Sequence, residues 1–160
     1  MSRSSSAVRL ARPADAYVVG GLLFDFNTEF DTPTPSAADF GDRFTRLLAR
    51  PDVLVVLAED TGSGEPTGFA FLTLRPTPYG DGPLAQLEEL YVRPALRDAG
   101  IGTALLTRAL AEVEGRGAIE MQINVDEVDV DTRRFYERHG FTNVEPGTDE
   151  RMLCYLRELR

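Results

Sequence analysis

The stretch from Leu84 to Val125 restricts the fold more than any other part of the chain. It reads as an apolar strand from Leu84 to Val92, a turn with two glycines, an apolar helix from about Gly102 to Glu114, and a second strand from Ala118 to Val125. In that second strand Ile119, Met121, Ile123 and Val125 alternate with Glu120, Gln122 and Asn124, the period of a half-buried strand. A strand, a helix and a strand in succession lay the helix across a sheet, which excludes a helical bundle or an all-β barrel.

The flanking segments extend that sheet. Ala7 to Leu10 is a short strand, and Pro13 opens a helix in which Val19, Leu22, Leu23, Phe26 and Phe30 recur at three- and four-residue steps. Pro33 and Pro35 break it, and Phe40, Phe44, Leu47 and Leu48 mark a second helix. Val53 to Ala58 and Gly68 to Leu74 are β-branched and aromatic runs joined by the turn-forming Thr61 to Pro66, so they predict a hairpin. Past the central unit, Asp129 to Arg138 predicts a helix stopped at Gly140, and Phe141 to Val144 and Arg151 to Leu156 predict two closing strands. The fold class expected is α/β (α+β): one mixed, mostly antiparallel twisted sheet flanked by helices.

Composition narrows the partners. With a formal net charge of −9, the surface repels a phosphate backbone, so nucleic acid is not expected, and a cationic small molecule would be attracted. No apolar run approaches the roughly 18 residues of a membrane span, and the first residues lack the apolar core of a secretory signal. A cytoplasmic protein that needs no membrane is the expectation, and a homodimer is left open. The lone Cys154, between Leu153 and Tyr155, reads as a buried inert thiol, and no spacing of Cys, His or carboxylates suggests a metal. His139, beside Gly140, reads as the cationic end of a helix.

The turn itself is Arg97-Asp98-Ala99-Gly100-Ile101-Gly102-Thr103. Glycines let the backbone fold into a nest of N–H groups, and the helix that follows aims its unpaired amides and positive dipole end at the same point. Arg97 adds a forked cation and Thr103 a hydroxyl, a combination suited to a pyrophosphate. A dinucleotide fingerprint would need a third glycine where Leu105 stands, and the Gly-Lys-Ser/Thr of a P-loop is absent.

The Arg-x-x-Gly-x-Gly order of Arg97, Gly100 and Gly102, with Leu87 to Pro94 before it and Phe135-Tyr-Glu-Arg-His-Gly-Phe141 after it, resembles the GNAT superfamily of N-acetyltransferases. The resemblance implies an N-acetyltransferase domain over residues 7–160 behind a disordered tail of residues 1–6, with a splayed central strand pair. It implies acetyl-coenzyme A as acetyl donor, held by the amides of Arg97 to Thr103 and by the backbone of Leu90, Tyr91 and Val92 acting like a sheet edge. Asp129 stands where the family often carries Asn, which disfavours a coenzyme contact there.

An alkyl amine with a pKa near 10.4 is only about one part in two thousand free base at neutral pH, so the reaction calls for a proton acceptor. Glu88 and Glu89 are the candidates, with alternation expected to send them to opposite faces; the position of Glu88 resembles that of the general base in polyamine-type members of the family, and Glu89 is the fallback. Tyr136 resembles the family's general acid, acting mainly as a hydrogen-bond donor, because a thiolate is a weaker base than a phenolate. The implied reaction is direct attack of a small-molecule primary amine in a ternary complex. The first helices would form the acceptor pocket, with Phe26, Glu29 and Phe30 lining it for a cationic amine. Two alternatives remain: acetylation of protein amino termini or lysines, and a non-catalytic acyl-coenzyme A sensor.

Overall fold

A computed structural model describes residues 5–160, so four of the six residues expected to form a tail lie outside it. The chain divides into two compact units, Met1–Gln122 and Ile123–Arg160. A five-stranded sheet runs in the order β1-β2-β3-β4-β5, with β1 Ser6–Leu10, β2 Val53–Asp60, β3 Pro66–Arg75, β4 Leu84–Val92 and β5 Glu120–Ile123. The first four strands pair antiparallel in chain order. This is the expected fold class. β1 starts at Ser6, one residue earlier than the alternation suggested, and β5 is half the length expected from Ala118 to Val125.

Helices cover both faces. Pro13–Asp15 forms a 3-10 turn that leads into α1, Ala16–Glu29, and α2 follows at Ala37–Leu47. Ser36 caps α2: its hydroxyl accepts from the Asp39 amide at 3.0 Å while Asp39 reaches back to the Ser36 amide, closing a capping box. Ala16, Val19, Leu22 and Leu23 of α1 and Phe40 and Phe44 of α2 form one core cluster with Val55, Leu57, Phe69 and Tyr91 of the sheet. At roughly 1.5–3 kcal/mol for each large side chain fully buried, this cluster drives the docking of both helices. Strand alternation turns Val56, Ala70 and Leu72 to the opposite face, where α3, Ile101–Gly115, buries Ile101, Leu105, Leu106, Ala109 and Val113.

α1 and α2 approach closely at two glycines. A Cβ on Gly20 would lie 2.6 Å from the Gly41 amide nitrogen, and one on Gly41 would lie 2.1 Å from the Tyr17 ring. Two glycines therefore set the spacing of the helix pair.

In the second unit α4, Val130–Arg138, ends at His139 with Gly140 left-handed at φ 88°, the stop expected from sequence. The two closing strands do not form: a single antiparallel bridge between Val144 and Arg151 is all the pairing there. Arg151 to Arg160 is exposed, including Leu153, Tyr155 and Leu156, so alternation was present but gained no sheet partner. Cys154 is exposed too, which overturns its reading as a buried thiol.

Candidate active site

Glu88 and Glu89 sit at an irregularity of β4. Phe71 pairs with Glu89 but the next residue, Leu72, pairs with Leu87, leaving Glu88 as an extra residue, a β-bulge. The bulge overturns the expectation of opposite faces. Glu89 shares a face with Phe71, whose ring packs edge-on to Phe44 of α2 at 5.4 Å. Glu88 leans the same way, accepting a hydrogen bond from the Thr73 hydroxyl at 2.6 Å. Two carboxylates thus turn toward the α1/α2 face. Glu89 is half-buried, and desolvation, followed by the charge of Glu88, pushes its pKa above the usual carboxylate range. A carboxylate raised in this way is suited to accept a proton near neutral pH.

One strand end further on, the chain turns at Pro94–Leu96 and enters α3. Gly100 caps the helix in a left-handed conformation, φ 85°, with open space where a Cβ would be and no side chain capping the helix end. Asp98 is left-handed as well, at φ 62°, a region that Asp tolerates better than most residues. Within the helix the Ala104 amide bonds to Gly100 at 3.0 Å, so Ile101, Gly102 and Thr103 precede the first intrahelical bond. That end can hold an anion by its amides and dipole.

Arg97 is where the geometry departs from the simplest reading. Its guanidinium donates to both carboxylate oxygens of Glu29, at 2.6 and 2.8 Å, its Nε donates to the Val92 carbonyl at 3.0 Å, and it lies 5.9 Å above the Tyr91 ring. The fork meant for a phosphate is engaged by α1. One turn earlier on the same helix, Asp25 accepts from Arg93 at 3.0 Å, so two ion pairs join α1 to the end of β4. The pairing of Asp25 with Arg93 was not foreseen from sequence, although Glu29 and Arg97, which form the second pair, stand four residues on in each segment.

The expected acceptor residues cluster at this point. Phe26 meets Phe30 at 5.4 Å and the buried Tyr91 at 5.0 Å, both edge-on, with Glu29 between them in sequence. Phe30 is 60% exposed. Of the strand residues proposed to face a ligand, Tyr91 is buried and Leu90 and Val92 are half-buried.

Tyr136 belongs to the second unit. It is 5% exposed and packs edge-on against Phe135 and Phe141 at 5.2 and 5.5 Å. Asp129 caps α4, accepting from the Thr132 amide at 3.3 Å, which gives that carboxylate a local structural task. His139 Nδ1 lies 2.7 Å from the Phe135 carbonyl at the C-terminal cap of α4, the helix-end position expected for it. Among the described residues no group of three His, Cys, Asp or Glu side chains could hold a metal, and no helix is long and apolar enough to cross a membrane.

A crystal structure from Arthrobacter sp. FB24 is 48% identical, with a TM-score of 0.88 over 99% of each chain. The aminoglycoside N(6')-acetyltransferase type 1 of Klebsiella aerogenes is 36% identical over 102 residues, 61% of this chain and 64% of that protein. The mycothiol acetyltransferase of Thermobispora bispora is 37% identical over 62 residues, 39% of this chain and 21% of its own length. The chain therefore spans less than two thirds of the length of these two curated relatives. An aminoglycoside acetyltransferase from a soil metagenome, solved with sisomicin, shares the fold at 19% identity and a TM-score of 0.79 over 97% of each chain. The model of the Acetyltransferase (GNAT) family matches residues 21–141, from α1 through α4, and on that match this chain belongs to the GNAT acetyltransferase family.

Proposed function

We propose that the protein transfers an acetyl group from acetyl-coenzyme A to a primary amine of a small molecule, in a ternary complex and without a covalent acyl-enzyme. The observation that carries this reading is the α3 start: a left-handed Gly100 with open space above it and a helix end without a side-chain cap. Its donors, backbone amides from Asp98 to Thr103 and a helix dipole, fit the pyrophosphate of coenzyme A, whereas the Arg97 amide, expected to join them, donates to the Pro94 carbonyl at 3.4 Å. That cosubstrate supplies an activated acetyl thioester when bound.

The chain's own residues supply the rest. Glu89, with its raised pKa, takes a proton from the bound acceptor ammonium, directly or through water, so that the free amine can attack the thioester, and Glu88 tunes it by charge. The β4 backbone from Leu90 to Val92 offers amide and carbonyl groups to an extended ligand. Tyr136 donates a hydrogen bond or proton to the departing sulfur. Phe26, Phe30 and Glu29 hold the acceptor, with aromatic contact for its carbon skeleton and a carboxylate for its charge. The sequence match to an aminoglycoside N(6')-acetyltransferase supports an amine acceptor, and a polyamine or aminoglycoside-like cation suits the acidic chain.

The test is a thiol-release assay with acetyl-coenzyme A and a panel of cationic, neutral and anionic amines, alongside peptides with free amino termini or lysines. Release with cationic small amines is expected, weakening with added salt. Release only with peptides would reassign the acceptor, and coenzyme binding with no release for any amine would make the protein a sensor.

A further inference from the structure

Glu29 is the last residue of α1, at the negative end of the helix dipole, where a carboxylate is disfavoured unless a cation compensates it. The cation present is Arg97, which gives the two-pronged edge of its guanidinium to Glu29. The same edge is what a phosphate would take, and it cannot serve both anions in that geometry. Both partners are partly exposed, with side chains 39% and 24% accessible, and ion pairs in such surroundings are weakly held. A pyrophosphate at the α3 start would have the turn amides and the dipole on its side in that competition.

We propose that the Arg97–Glu29 pair is an exchangeable latch: coenzyme binding draws Arg97 to the pyrophosphate and releases the Glu29 carboxylate for a cationic amine. The inference rests on the reading of the α3 turn as the coenzyme site. Phe26 and Phe30 flank Glu29 on the same helix, so the freed carboxylate stands among the groups proposed to hold the acceptor. The two ligands then bind cooperatively, each raising the affinity of the other by the same factor, because linkage is reciprocal.

The experiment is calorimetric titration of coenzyme A, which cannot react, into the wild type and Glu29→Gln, with and without sisomicin as the cationic probe. Removing the competing carboxylate should tighten coenzyme A about 5-fold or more, and sisomicin should tighten it in the wild type but not in the variant. The NMR signal of the Arg97 Nε–H in the wild type should move when coenzyme A is added, a readout that needs no variant. Unchanged or weaker coenzyme A binding by Glu29→Gln, no effect of sisomicin on the wild type, or an unmoved Arg97 signal would each overturn the latch and leave the acetyltransferase reading standing. Failure of coenzyme A to bind the wild type would overturn both.

Discussion

Phe71 of β3 faces Glu89 of β4, while its neighbour Leu72 faces Leu87, and the residue skipped between them is Glu88. One inserted residue thus gives β4 two acidic side chains on one face. Glu89 carries the larger share of the burial and a pKa pushed up by desolvation and then by Glu88. A base must be ionised to act, so kcat/KM should rise with pH through that raised value. Glu89→Gln is expected to lower kcat by about 10²- to 10⁴-fold, the usual range for a general base. Glu88→Gln should keep turnover but move the acidic limb to lower pH, since one of the two causes of the shift is gone. Full pH–rate profiles of both variants check this; an acidic limb unmoved in Glu88→Gln would dissociate the pair.

Replacing Gly102 with Asp would bring a negative charge to the first turn of α3, where the proposed phosphate lies. Coenzyme A binding should fall below detection by calorimetry. Gly100→Ala should fold with a loss of about 1–2 kcal/mol, the cost of a Cβ at positive φ, read from denaturant midpoints. A Gly102→Asp protein that is folded and binds coenzyme A normally would place the site elsewhere.

For Tyr136 the prediction is a split between binding and turnover. Tyr136→Phe keeps the ring that packs on Phe135 and Phe141 and removes only the hydroxyl. Coenzyme A affinity should be unchanged and kcat reduced about 10- to 1000-fold, at or just below the range for acid catalysis. Full activity would leave Tyr136 as a packing residue.

Stability against acid should depend on Asp15. Arg9 donates to it at 2.8 and 2.9 Å and the Arg12 amide at 2.7 Å, holding the Asp15 pKa down to about 2 from 3.8. The stabilisation is complete above the unfolded value and is lost as pH falls through about 2; it amounts to about 2 kcal/mol. Asp15→Asn should therefore be less stable than the wild type at pH 7, with the gap closing by pH 2. Urea midpoints across that range measure it, and a constant gap would assign the loss to packing instead.

The strands and helices of residues 7–115 were legible because burial in this chain follows apolar runs and helical period. Val53 to Ala58 is an unbroken apolar run that is buried throughout, and the Val19, Leu22, Leu23 stripe lies where helical spacing places it. The glycine turn was legible through Gly100, whose positive φ is a requirement few other residues meet. The bulge was missed, though a trace of it stands in Gln86-Leu-Glu-Glu-Leu90, where two polar residues interrupt a strand of period two. Arg97 was placed at the right turn, but its partner lies 68 residues away on α1, a distance that no local pattern reports. The closing segment failed for the opposite reason: Arg151 to Leu156 has strand composition, and composition cannot supply a neighbour to pair with.

The glycine crossing of α1 and α2 has a mechanical consequence. With Gly20 against the Gly41 backbone and the Tyr17 ring lying over Gly41, a side chain at either glycine would force the two helices apart. The spacing fixed at that crossing is carried along α1 to Asp25 and Glu29, whose ion pairs with Arg93 and Arg97 tie the helix to the segment that follows β4.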